Sequence, residues 1–171
     1  VKVEGGVNAA HIVNAIVRAG MPVVGHIGLT PQHISQLGGY KAQGTNLETG
    51  SRVIEDALAV EKAGAFAIIL ECVPDQISRI VTERLKIPTI SYGAGIHCDG
   101  QGLVAHDILG IFDRFTPKFV KTYSNLGQQI QDAFEEYVDD VVSQQFPGDE
   151  HTFHIKKDQL EAVIKRNSQI D

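Results

Sequence analysis

Ala67-Ile68-Ile69-Leu70-Glu71-Cys72 is an uninterrupted apolar run that ends in a carboxylate. Four consecutive apolar residues with β-branched character read as a strand buried on both faces, the kind found in parallel sheets. Two other runs end in the same way. Val1-Lys2-Val3-Glu4 stops at Gly5-Gly6, and Met21-Pro22-Val23-Val24-Gly25 stops at His26. An apolar strand followed by a charged or imidazole side chain and then a loop is how a (β/α) barrel assembles an active site along one rim.

Helical spacing separates these runs. Val7 to Arg18 carries Ile12, Val13, Ile16 and Val17 and is stopped by Gly20; Val53 to Lys62 and Asp75 to Leu85 are likewise amphipathic. Pro88 opens a further strand, Thr89 to Tyr92, which runs into Gly93-Ala94-Gly95. Strands alternating with helices indicate a parallel sheet with helical crossovers. Four strands are clear. Gly102 to Phe112 and Pro117 to Lys121 offer a helical turn and at most one more strand. A closed eight-stranded barrel takes about 250 residues, so 171 residues suit a smaller open sheet or the later part of a barrel. Gln128 to Ser143 and Asp158 to Arg166 read as two further amphipathic helices that form an appendage.

Composition bounds the function. A net charge of -6 and a pI near 5.6 leave no basic stripe to neutralise phosphates, which argues against nucleic-acid binding. A hydrophobic content of 43% is that of an ordinary globular domain. No apolar run approaches the roughly 20 residues of a membrane span. Cys72 and Cys98 make no disulfide framework and suit a reducing, cytoplasmic compartment. The chain opens in mid-strand, and its only methionine is Met21, so further polypeptide is expected ahead of Val1.

Glu71 is the sharpest chemical signal, because a carboxylate directly after an apolar strand is paired, protonated or functional. Burial is expected to raise its pKa toward that of a general base; the alternative is a solvated strand end. Lys2 and Glu4, two apart, share one side of a strand. They read either as a carboxylate anchor beside a cation-binding carboxylate or as a structural ion pair. His26 is placed to donate to a developing oxyanion or is a satisfied structural histidine. The glycine-rich segment from Gly28 to Gly44 is long for a βα connection and reads as an active-site loop. Gly93-Ala94-Gly95 reads as close chain packing before phosphate binding. Neither His97-Cys98-Asp99 nor His151 with His154 has a complete zinc spacing.

In order along the chain, Val1-Lys2-Val3-Glu4-Gly5-Gly6, Gly25-His26-Ile27-Gly28-Leu29-Thr30-Pro31-Gln32, Gly38-Gly39-Tyr40-Lys41, Leu70-Glu71-Cys72-Val73-Pro74, Gly93-Ala94-Gly95, Asp99-Gly100-Gln101, His106-Asp107, Pro117-Lys118-Phe119 and Phe146-Pro147-Gly148-Asp149-Glu150-His151 resemble the ketopantoate hydroxymethyltransferases. The resemblance implies a (β/α)₈ TIM barrel of the phosphoenolpyruvate/pyruvate-like superfamily. Residues 1–124 would be its later part, and residues 125–171 a C-terminal helical extension packing on the barrel or a neighbouring subunit. It implies transfer of a hydroxymethyl group from 5,10-methylenetetrahydrofolate to 3-methyl-2-oxobutanoate, giving 2-dehydropantoate for pantothenate synthesis, with Mg²⁺ assisting enolisation. The same resemblance makes Glu71 the proton acceptor, Lys2 a substrate ligand, Glu4 a metal-associated carboxylate and His26 a catalytic neighbour of the substrate oxygens. It also implies a homo-oligomer, a decamer. Two metal-binding aspartates and a substrate-binding serine of the family have no counterpart here, so these residues alone are expected to hold Mg²⁺ poorly. Residues after His154 match no motif of the family. The rivals are a carbon-carbon lyase or phosphonopyruvate-type mutase of the same superfamily, and a non-catalytic assembly piece.

Overall fold

A computed structural model describes residues 1–33, 41–112 and 114–168. The middle of the expected active-site loop, including Gly38, Gly39 and Tyr40, lies outside the described residues. Contacts divide the chain into two compact units, Val1–Ser124 and Asn125–Asp171.

In the first unit five strands form one sheet: β1 (Lys2–Glu4), β2 (Val24–Gly28), β3 (Ala67–Glu71), β4 (Thr89–Tyr92) and β5 (Gly100–Gln101). They lie side by side in chain order, and every neighbouring pair is parallel. The α/β class and the parallel sheet expected from the sequence are thus present. Helices α1 (Ala10–Arg18), α2 (Leu47–Lys62) and α3 (Asp75–Arg84) make the crossovers. Their apolar stripes supply Val13, Val53, Ala57, Val60 and Val81 to the core, where they meet Ile27, Ile68 and Leu70 of the sheet. Each fully buried Ile, Leu or Val here is worth about 1.5–3 kcal/mol of transfer free energy.

Strand alternation sorts the side chains. Gly25, Ile27, Ile68, Leu70, Thr89 and Ser91 point toward the helices: Ile27, Ile68 and Leu70 belong to the core, a Cβ on Gly25 would collide with Val60, and the Thr89 hydroxyl lies 2.9 Å from that of Thr82 in α3. Lys2, Glu4, His26, Ile69, Glu71, Ile90 and Tyr92 therefore occupy the other face.

Several boundaries differ from the sequence reading. The helix expected from Val7 starts at Ala10, because Gly6 to Ala9 is a turn closed by Ala9 N–H donating to the Gly6 carbonyl at 2.9 Å. Strand β2 passes His26 and ends at Gly28. Helix α2 begins at Leu47, well ahead of Val53, where Asn46 and Thr49 cap each other reciprocally: the Asn46 Oδ1 accepts from Thr49 N–H at 2.9 Å and the Thr49 hydroxyl accepts from Asn46 N–H at 3.3 Å. The fifth strand is Gly100–Gln101 rather than part of 102–112 or 117–121. Asp99 makes it possible, since its Oδ2 accepts from Thr89 N–H at 2.8 Å and from the Thr89 hydroxyl at 3.1 Å, folding the chain back beside β4. The one-turn helix α4 (Ala105–Ile108) follows. At Pro117, which lacks an N–H for a ladder, the chain turns instead, with Val120 N–H donating to the Pro117 carbonyl at 2.9 Å.

The second unit contains α5 (Leu126–Val142) and α6 (Lys157–Asn167). Between them the Phe146 ring packs on Tyr137 and on His151, with centroids 5.7 and 5.1 Å apart. Gly148 N–H donates to His151 Nδ1 at 3.2 Å, which gives the 146–151 segment a local structural reason. No helix among the described residues is long and apolar enough to cross a membrane.

Candidate active site

Parallel register brings the strand ends of β1, β2 and β3 together. Glu4 is paired with His26 across β1 and β2, His26 with Ile69, and Gly28 with Glu71 across β2 and β3. The carboxylates of Glu4 and Glu71 consequently flank the His26 ring on the face away from the helices. His26 Nδ1 is 3.4 Å from Glu4 Oε1, and His26 Nε2 is 3.0 Å from Glu71 Oε2. His26 is only 1% exposed.

Neither ring nitrogen makes a hydrogen bond of acceptable geometry among the described residues. Both carboxylates are within ionic reach but out of line for N–H donation. A neutral imidazole has one N–H and one bare nitrogen, so it can donate to one carboxylate at most, while the other faces a lone pair. Buried polar atoms left in this state are expensive.

Glu4 is further tied down. Its Oε1 lies 3.4 Å from Lys2 Nζ, and its Oε2 accepts from the backbone N–H of Gln32, in the 3₁₀ turn after β2, at 3.1 Å. Burial pushes the Glu4 carboxyl up, but the Gln32 N–H, the neighbouring His26 and the Lys2 ammonium together outweigh it and hold the group below its ordinary value of 4.5. A folded-state value below the unfolded one makes ionised Glu4 stabilising above pH 4.5, and that contribution is lost as pH falls through the lower value. The stability gap between wild type and Glu4→Gln is therefore expected to stay level from neutral pH to about 4.5 and to narrow below it, as read by urea unfolding at each pH. A gap that widens on acidification would contradict this.

Glu71 is held through its backbone. Its carbonyl accepts from Leu29 N–H at 2.8 Å, and Gly28, with φ +87°, passes so close that a Cβ there would overlap this oxygen. Cys72 lies beyond the strand instead of within it, and adopts φ 50°, a left-handed conformation that costs a non-glycine residue about 1–2 kcal/mol. Its N–H donates to the Tyr92 carbonyl at 2.9 Å and its carbonyl accepts from Gln43 N–H at 2.8 Å. Burial first, and the Glu71 charge second, push the Cys72 thiol up, so it is no ready nucleophile.

The structure thus brings all four sequence-derived residues, Lys2, Glu4, His26 and Glu71, into one group. Sequence reasoning missed the Gln32 N–H, the close approach at Gly28 and the Cys72 conformation; of these, only the glycine directly after His26-Ile27 carried a signal. Gly93-Ala94-Gly95 serves packing: a Cβ at Gly93 would strike the Phe119 ring, and one at Gly95 the Asp75 side chain. The donor set does not fit a resident Mg²⁺ by itself. Both Glu4 oxygens are engaged, one of them by an ammonium group, and no group of three or more His, Cys, Asp or Glu side chains among the described residues is arranged to hold a metal, whereas Mg²⁺ requires near-octahedral oxygen ligation.

Comparison with known proteins agrees with the resemblance read from the motifs. The family described as ketopantoate hydroxymethyltransferase matches residues 1–149. The 3-methyl-2-oxobutanoate hydroxymethyltransferase of Carboxydothermus hydrogenoformans is 50% identical over 163 residues, covering 95% of this chain and 59% of that protein. Those of Anaeromyxobacter dehalogenans and Heliobacterium modesticaldum are 51% and 54% identical, each over 90% of this chain and over 50% and 55% of their own lengths. The chain therefore spans between half and three fifths of the relatives it matches. On the extent of these matches, the chain belongs to the ketopantoate hydroxymethyltransferase family.

Proposed function

We propose that these residues carry the enolisation step of hydroxymethyl transfer from 5,10-methylenetetrahydrofolate to 3-methyl-2-oxobutanoate, giving 2-dehydropantoate for pantothenate synthesis. The observation that carries the reading is the buried His26 held between Glu4 and Glu71, with both ring nitrogens lacking a hydrogen bond. Glu71 takes the C3 proton, and the C3–H bonding pair moves toward the carbonyl, whose oxygen becomes an enolate. His26 donates its N–H to that oxygen, a charge that develops only as the proton leaves. The Lys2 ammonium binds the substrate carboxylate, and Glu4 keeps both Lys2 and His26 in place. Water adds to the methylene carbon of the folate and its two C–N bonds break, releasing tetrahydrofolate and a one-carbon aldehyde; C3 of the enolate bonds to that carbon, and the aldehyde oxygen, which came from water, takes a proton and becomes the hydroxyl.

Mg²⁺, the cation implied by the resemblance, would need oxygen ligands beyond Glu4, and no step above is assigned to it. Closure of the five strands into a TIM barrel with others belongs to the same proposal, as do a cytoplasmic setting and a homo-oligomer, decameric by resemblance. Residues 125–171 would then be a C-terminal helical extension, in which Phe134, Tyr137 and Val138 of α5 are 66%, 53% and 53% exposed.

The test is acceptor and donor dependence. An active enzyme carrying this segment is expected to turn over 3-methyl-2-oxobutanoate only with the methylene-folate, and to leave oxaloacetate-like and phosphonate substrates unchanged. Folate-independent turnover of either of those would assign it to the lyases or mutases of the superfamily.

A further inference from the structure

We propose that Gly102 is the seat of the Tyr92 ring, and that the pair sets how much room an acceptor's side chain has above Glu71. This rests on the enolisation reading of the site and names its specificity-determining residues.

Tyr92 ends β4 and is paired in register with Glu71. It points to the same face as Glu71, since its neighbour Ser91 faces the helices, accepting from the buried Ala94 N–H at 2.9 Å. Tyr92 is thus the next side chain along the C-terminal edge of the sheet, beside the base. A tyrosine there has two places to lie: over β3, covering Glu71, or over β5. It lies over β5. A Cβ on Gly102 would meet the ring at Cε2 and Cζ and stand 2.7 Å from Oη. Gly102 is fixed in this position, its N–H donating to the Ser91 carbonyl at 2.8 Å. The ring therefore rests on Gly102, which has no side chain, and leans away from β3 and Glu71.

The atoms that a Cβ at 102 would meet are the far end of a rotatable side chain, and Gly102 is not among the residues with positive φ. Alanine or valine there is compatible with the backbone, and the ring yields by swinging. On this face, swinging away from Gly102 carries the ring toward β3 and Glu71. Acceptors with a branched C3 then lose room before unbranched ones do, and a contact of one or two methyl groups changes discrimination by about tenfold or more.

The test uses C3-proton exchange by an active enzyme carrying this segment, with 3-methyl-2-oxobutanoate and with 2-oxobutanoate, which has one C3 methyl fewer. Gly102→Val is expected to raise KM for the branched acid about tenfold and for the unbranched acid much less; adding Tyr92→Ala is expected to restore the branched acid. A crystal structure of Gly102→Val, or of Gly102→Ala if the valine variant does not fold, is expected to show the Tyr92 ring displaced toward Glu71. Equal losses for the two acids, no recovery on adding Tyr92→Ala, or an unmoved ring would overturn the proposal. Absence of exchange in the unsubstituted enzyme would instead count against the enolisation reading, while the ring position would still decide whether Gly102 seats Tyr92.

Discussion

Replacing Glu71 by glutamine is expected to lower the turnover of hydroxymethyl transfer by about 10²–10⁴-fold, the range supplied by a positioned general base, with little change in KM. The substitution is nearly isosteric, so the strand end, the Leu29 N–H bond to the 71 carbonyl and the contact with His26 Nε2 can all remain. What is lost is the ability to accept a proton. An effect confined to the chemical step separates this role from a merely structural one, because a folding defect would lower the amount of active enzyme and the thermal midpoint together. Steady-state kinetics beside a melting curve reads both. Turnover within threefold of wild type would remove Glu71 from the role of base.

Gly28→Ala is expected to be the most damaging single-methyl substitution near the site. At φ +87° a non-glycine residue costs about 1–2 kcal/mol. The added Cβ would also overlap the Glu71 carbonyl oxygen and approach Val73 Cγ2 to 2.6 Å, and overpacking of this kind typically costs about 1–3 kcal/mol. Together they predict a loss of about 2–5 kcal/mol, a large share of the roughly 5–15 kcal/mol that holds a domain together. The obstructing atoms are backbone and a buried valine, so relief requires moving β3, and with it Glu71. Activity should therefore fall by more than the folded fraction does. Urea unfolding followed by circular dichroism measures the first, and activity per folded molecule the second. A loss below about 0.5 kcal/mol, the ordinary effect of a surface substitution, would show that the β2 and β3 ends are not locked together as described.

The strand and helix order was legible because β3 is an apolar run, β4 is bracketed by Pro88 and Gly93-Ala94-Gly95, and α1 to α3 carry apolar residues at helical spacing. The start of α2 was not, since Glu48, Thr49, Ser51 and Arg52 are polar and the Asn46–Thr49 cap, not hydrophobic periodicity, begins the helix. Strand β5 was equally hidden: two residues, Gly100 and Gln101, have no pattern of their own, and their pairing depends on Asp99 reaching back to Thr89. Glu71 and Glu4 could be picked out as strand ends, and His26 as the polar residue closing the apolar stretch of β2, which runs on to Gly28. That His26 would touch both carboxylates was not readable, because it depends on the register between three strands. The left-handed Cys72 gave no warning either, as glycine is the residue that normally marks such a turn. Tyr92 ends β4 and Gly102 follows β5, and nothing in their spacing joins them.

The role of the Glu4–His26–Glu71 group is most directly tested by proton NMR of 3-methyl-2-oxobutanoate in D₂O, with no folate present. An active enzyme carrying this segment is expected to wash the C3 proton out into solvent, and the same enzyme with Glu71→Gln to leave it in place. Exchange at an undiminished rate in the glutamine variant would contradict the assignment of C3 deprotonation to this strand end.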